Sequence, residues 1–169
     1  TALRWIYDEP SAVVTSIGPG ALQAMAGSLV ASSNGIGVYH IYGDETTHGE
    51  GYNMQQIVKP QQGLYGQLTA LMGQSYVLHT PKALRDALRR GRNAVFHPIK
   101  GSAYFLMLPI NTQPQMLELS LATLPERVDL PAVQPPPPDV IAHAAQLITQ
   151  ANRVIIKAGG GTRRHANAL

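Results

Sequence analysis

The sequence predicts an α/β protein built on a doubly wound parallel sheet, and three observations carry that expectation. Short apolar runs of strand character alternate with segments whose apolar residues recur at helical spacing. The first run, Ala12-Val13-Val14-Thr15, passes straight into a glycine-bearing turn and then a helix, the order of a parallel unit. Tyr104-Phe105-Leu106-Met107-Leu108 is apolar without alternation, as a central strand covered on both faces should be.

The elements follow in order. Ser16-Ile17-Gly18-Pro19-Gly20 is a turn suited to unusual backbone angles. The helix expected over 21–33 carries Leu22, Met25, Leu29 and Val30 at helical spacing, while Ala24, Gly27, Ser28 and Ala31 keep another face small. Asn34-Gly35 should end it, and residues 36–42 alternate as a second strand closed by Gly43-Asp44. The polar connection over 45–62 is long for a compact domain and reads as functional. A short helix over 63–72 and a third strand over 76–78 come next. Thr80-Pro81 then opens a helix with Thr80 as N-cap, Ala83, Leu84, Ala87 and Leu88 facing inward, and Gly91 as its stop.

Beyond Pro109 the pattern dissolves, ending in Pro135-Pro136-Pro137-Pro138, a stiff spacer. The expected organisation is a first domain over 1–110, a Pro-rich linker over 111–138, and the start of a second α/β domain over 139–169. In that last part Asp139 should cap a helix with a stripe of Val140, Ile141, Ala144, Leu147, Ile148 and Ala151. A strand over 153–158 should then run into Gly159-Gly160-Gly161.

Composition narrows the function. Only 14% of residues are charged against 44% hydrophobic, which argues for a folded globular chain. The absence of cysteine excludes disulfides and thiolate metal sites, and it fits a cytoplasmic setting. The net charge of +3 arises mainly from Arg85, Arg89, Arg90 and Arg92, with Arg163 and Arg164 near the C-terminus. No stacking aromatics are interleaved with them, so no nucleic-acid partner is expected. No apolar run approaches the ~20 residues of a membrane span, and no membrane association is expected. His40 and His48, with Asp44, Glu45 and Glu50 between or near them, lack the spacing that defines zinc sites. Ser16 lacks a G-x-S-x-G elbow, so a hydrolase triad is rejected. The turn ending at Gly20 brings free N–H groups to a helix start, which favours a polar or anionic ligand, although it lacks the third glycine of a dinucleotide fingerprint. Gly159-Gly160-Gly161 is a second candidate phosphate turn.

Thr15-Ser16-Ile17-Gly18-Pro19-Gly20-Ala21 resembles the Thr-Ser-Gly-Pro-Gly-Ala turn of thiamine-diphosphate-dependent enzymes such as acetolactate synthase and benzoylformate decarboxylase. The form with Ile17 inserted is similar to trihydroxycyclohexanedione hydrolase. The order of parts resembles the family too: strand, helix, Gly43-Asp44, a Gln-bearing loop, a strand ending Leu108-Pro109, a Pro-rich linker, then helix, strand and Gly-Gly-Gly. The resemblance implies a pyrimidine-binding domain in which Gly18, Pro19, Gly20 and Gln23 meet the cofactor's aminopyrimidine and Gln56 lies beside the reaction centre. Gln23 stands where relatives carry Asn, and Gln55 where they carry Phe. The implied cofactor is thiamine diphosphate with Mg2+, held across a homodimer or homotetramer. The implied substrate is a 2-keto acid or 1,2-diketone whose C–C bond is made or broken by a lyase or transferase; FAD, as in acetolactate synthase, stays open. By the family's spacing its catalytic Glu would precede Thr1, and its Gly-Asp-Gly…Asn metal motif would follow Leu169. The resemblance therefore implies a fragment that is inactive alone. The alternative reading is a non-catalytic α/β module binding a nucleotide or a protein through the same turns.

Overall fold

Four strands form a single all-parallel sheet in the computed structural model, which describes residues 1–49, 61–126 and 134–168. In chain order they are β1 (Ala12–Thr15), β2 (Val38–Asp44), β3 (Gln74–Val77) and β4 (Ala103–Pro109), arranged β1-β2-β4-β3. The helices are α1 (Ala2–Tyr7), α2 (Pro19–Ser33), α3 (Leu64–Met72), α4 (Leu84–Val95) and α5 (Pro138–Gln150). Two compact units result, Thr1–Asp129 with the whole sheet and Leu130–Leu169 with α5. The α/β class and the parallel sheet expected from the sequence are both present.

The pleat of β4 divides the core. Ala103, Phe105 and Met107 join Ala21 of α2, Tyr42 of β2 and Tyr65 of α3 on one face. Tyr104 and Leu106 join Ala87, Ala94 and Val95 of α4 on the other. The chain thus crosses over β4 through α3 to reach β3, then returns through α4 on the opposite face, which doubly winds the sheet. Register between the two central strands is set by pairs such as His40 with Phe105 and Tyr42 with Met107. The Tyr104 hydroxyl donates to the carbonyl of Ala87 at 2.6 Å, so the aromatic that fills the α4 face also ties that helix down.

Helix ends follow the sequence in part. Asn34 is the C-cap of α2 and Gly35, at φ 66°, takes the left-handed position. Ile36 N donates to Ala31 O at 2.9 Å and Gly35 N to Ser32 O at 3.1 Å, the paired bonds of a Schellman ending. Ile36 and Ala31 pack together beneath it. Thr80 stands at the N-cap position with Pro81 directly after it, as expected, but its hydroxyl makes no capping bond, and the turn it opens, Pro81–Ala83, is a 3-10 turn that leads into α4. Gly91 does not stop α4, which runs on to Val95. Its role is steric: a Cβ there would sit 2.8 Å from the rings of both Tyr104 and Tyr39.

Two further expectations are corrected. Asp139 is not the cap of α5 but lies in its first turn, behind Pro137 as N-cap and Pro138 as the first helical residue, where its charge still complements the helix dipole. Residues 153–158 form no strand. A strand needs a neighbour for its backbone groups, and the Leu130–Leu169 unit contains none among the described residues, leaving Ile155 93% exposed. α1 had no sequence signal. Only Arg4 of its residues is buried, held by Asp8 and stacked 4.5 Å from the centre of the Phe96 ring.

Two glycines in helices should respond oppositely to alanine. Gly91→Ala overpacks against two tyrosines and should cost about 1–3 kcal/mol in urea unfolding. Gly27→Ala, with nothing within 4 Å of its Cβ position, should gain roughly 0.5–1 kcal/mol.

Candidate functional site

In a doubly wound sheet the carboxyl ends of the strands gather the loops that can hold a ligand. Here that edge collects the turn after β1, the residues after β2, the short link after β3 and the polar stretch after β4. Gly18 is buried with φ 85° and ψ −135°, a conformation reserved for glycine. Pro19 opens α2 at its first position, where the missing N–H costs nothing, and its side chain is exposed. Leu22 N donates to Gly18 O at 3.0 Å, closing the first helical turn. At Gly20 a Cβ would lie 2.5 Å from Thr15 Oγ1, so this glycine lets the strand's last hydroxyl pack under the helix start. Gln23 is exposed, one turn beyond Pro19 on the same side of α2. No acidic residue occupies the first turn of this helix, so its positive end is left uncompensated locally.

The sequence-expected residues at 18, 19, 20 and 23 are therefore contiguous on one turn, with Pro19 and Gln23 facing outward. Gln56 lies outside the described residues. Ser16 is exposed, and its hydroxyl lies 3.4 Å from Ile17 O.

The polar stretch after β4 was not singled out by the sequence, yet it ties the edge together. Asn111 accepts from Thr47 N at 2.9 Å and donates to Thr47 Oγ1 at 3.0 Å, joining the exits of β4 and β2. Ile110 N donates to Asp44 O at 3.0 Å. Thr112, 4% exposed, donates to His79 O at 3.3 Å, which links the β3 exit. Gln113 donates to Leu108 O at 2.7 Å. The available signal was a polar run following immediately on a fully apolar strand.

Three buried titratable groups line β2. His40, 2% exposed, has Nδ1 2.8 Å from the Tyr42 hydroxyl and its ring 4.9 Å from Phe105. Burial lowers its pKa to about 4, so it is neutral at physiological pH. Burial also pushes Tyr42 up to about 12. Asp44, 6% exposed at the end of the strand, is raised to about 6 by burial. The Glu45 amide hydrogen bond opposes this, the Glu45 charge reinforces it, and His79 opposes it again. Glu45 itself holds a buried Oε1 with no hydrogen-bond partner among the described residues. His48 is exposed, and no group of three or more His, Cys, Asp or Glu side chains among the described residues could hold a metal ion.

Around Gly159-Gly160-Gly161 a 3-10 segment, Gly160–Ala168, follows directly, and nothing lies within 4 Å of a Cβ built at Gly159 or Gly161. That turn shows no cradle comparable to the one after β1. Among the described residues no helix is long and apolar enough to cross a membrane. No protein-family model matches the chain, and neither does any curated protein.

Asp44 gives a pH signature. Its folded pKa lies above the unfolded 3.8, so its contribution to stability is full below about pH 3.8 and is lost as pH rises through 6. Asp44→Asn, which keeps the acceptor for Glu45 N, should be more stable than wild type at pH 7.5 by on the order of 2 kcal/mol. The difference should shrink to nothing at pH 4 in thermal melts.

Proposed function

We propose that this chain forms the pyrimidine-binding part of a thiamine-diphosphate-dependent enzyme that makes or breaks a C–C bond of a 2-keto acid or 1,2-diketone. The observation that carries the reading is the turn after β1: a glycine-only backbone at Gly18 presenting an exposed Pro19 at the start of a 15-residue helix, on the carboxyl edge of a parallel sheet. A rigid, side-chain-poor wall of this kind suits the face of a flat heterocycle, and a proline ring supplies apolar contact without a competing N–H.

The residues fit one half of the cofactor. Gly18, Pro19 and Gly20 would hold the pyrimidine ring, with Gln23 within one helical turn. No set of carboxylates among the described residues would hold Mg2+ and a diphosphate, so in this reading another polypeptide segment supplies that half. When bound, thiamine diphosphate supplies a carbon nucleophile for a ketone carbonyl. The part of this chain is to bind and orient the ring and, with a covering partner, to exclude water.

The outer face of α2 supports a covering partner. Leu22, Leu29 and Val30 are 43%, 53% and 58% exposed, and Pro19 stands at the head of the same helix. Gly27 keeps a neighbouring strip of the helix bare. A homodimer or homotetramer closing over this face would bury the apolar stripe and the turn together. A cytoplasmic location belongs to the same proposal and rests on the cysteine-free composition.

Titration calorimetry tests the cofactor assignment. This chain alone should bind thiamine diphosphate with Mg2+ more weakly than about 1 mM, and the protein from the complete reading frame should bind at micromolar concentration. A complete protein that does not bind overturns the proposal. For the partner face, sedimentation at roughly 100 µM should show wild-type association that Leu29→Lys abolishes. A monomeric wild type, or a variant that still associates, removes the face from the proposal.

A further inference from the structure

The ending of α2 brings together the residues of a self-modifying peptide link. Asn34-Gly35 is the only Asn-Gly pair in the sequence; Asn53, Asn93, Asn111, Asn152 and Asn167 are followed by Met, Ala, Thr, Arg and Ala. The side-chain amide of an asparagine can be attacked by the backbone nitrogen of the next residue, and a glycine there puts no Cβ in the way of ring closure. Asn34 is exposed, so water reaches its carboxamide. The residue types and the access that this reaction requires are both present at the turn.

The fold holds the two reacting atoms apart. Ring closure requires Gly35 N to lie beside the Asn34 side chain, whereas ψ 6° at Asn34 turns that nitrogen toward the backbone nitrogen of Asn34 itself. Gly35 N is also engaged, donating to Ser32 O at 3.1 Å, and Asn34 Nδ2 donates to Val30 O at 2.8 Å, which keeps the leaving amide against the helix end. Both bonds must open, and ψ must rotate, before the attack can occur. The surrounding contacts resist this: Ile36 N donates to Ala31 O at 2.9 Å, and Ser32 Oγ accepts from Ala103 N at 3.2 Å, so the last turn of α2 is tied to the chain beyond it and to β4.

We infer that Asn34 is a deamidation site, held in check by the Schellman ending of α2 and released when that last turn frays. In the reaction Gly35 N gives up its proton and forms a bond to Asn34 Cγ, while Nδ2 leaves as ammonia; water then opens the cyclic imide at either carbonyl, giving an aspartyl or an isoaspartyl linkage. Neither product restores the ending. An ionised carboxylate only accepts, so the donor to Val30 O is lost, and its charge stands at the negative end of the helix dipole. The isoaspartyl form also routes the backbone through the former side chain, which takes Gly35 N and Ile36 N out of register with Ser32 O and Ala31 O. The site is independent of the cofactor assignment proposed above.

The test is peptide mapping by mass spectrometry on the protein from the complete reading frame, incubated in mildly alkaline buffer at physiological temperature, either folded or unfolded in guanidinium. Amide-to-acid conversion at Asn34 should proceed in both, at least about tenfold more slowly in the folded protein. Ile36→Ala, which removes the apolar contact of Ile36 with Ala31, should raise the folded rate by about threefold or more and leave the unfolded rate as in wild type. Asn34→Asp, which carries the aspartyl product from the start, should lower the melting temperature by about 2–4 °C. Equal folded and unfolded rates overturn the protection by the fold, as does a wild-type rate in an Ile36→Ala protein that circular dichroism shows to be folded. If Ile36→Ala does not fold, the comparison of folded with unfolded wild type decides alone. No conversion at Asn34 in the unfolded chain overturns the site itself, and an unchanged melting temperature in Asn34→Asp overturns the damage to the helix ending.

Discussion

Everything in the sheet unit is referred to β4. It is paired on both sides, by β2 and β3, and covered on both faces, so Tyr104, Phe105 and Met107 are 1%, 0% and 0% exposed. Burying each such side chain contributes roughly 1.5–3 kcal/mol. The larger consequence is geometric, because a strand hemmed in on four sides dictates what its neighbours can be. Gly91 yields to the Tyr104 ring, Gly73 to the carbonyl of Ala103 and Gly101 to the backbone at Gly37. These three glycines lie on three different segments, and each lets something approach the central strands closely.

This explains which parts of the fold the sequence displayed. β4 was legible because a strand covered on both faces has to be apolar throughout, and the α2 ending because Asn-Gly has few other uses beside a helix. Gly91 was misread as a stop because a glycine that ends a helix and one that admits two aromatic rings look alike until the rings are placed. The supposed strand over 153–158 shows the converse limit: Val154, Ile155 and Ile156 have strand propensity, but propensity without a pairing neighbour makes no ladder. α1 left no trace because its anchor is Arg4 against Phe96, a contact 92 residues apart in number and invisible to any local pattern.

The candidate site divides along the same line. The turn from Ser16 to Gly20 is a local device, written in consecutive residues, and could be found by reading them. Its surroundings are assembled from the ends of three other strands, where Asn111, Thr112 and Gln113 bind the exits together through hydrogen bonds to Thr47, His79 and Leu108. In the sequence those three residues follow a strand and precede a proline, with nothing to set them apart from a connector. Their importance comes only from the strand order, which brings β4 beside β2.

β1 is the exception to this tight construction. It has four residues, pairs with β2 alone among the described strands, and leaves Val14 73% exposed. The turn carrying Pro19 thus follows an exposed edge strand, while Gly43 on the same carboxyl edge belongs to the central pair β2–β4. On that edge an open margin of the sheet and its enclosed middle stand side by side.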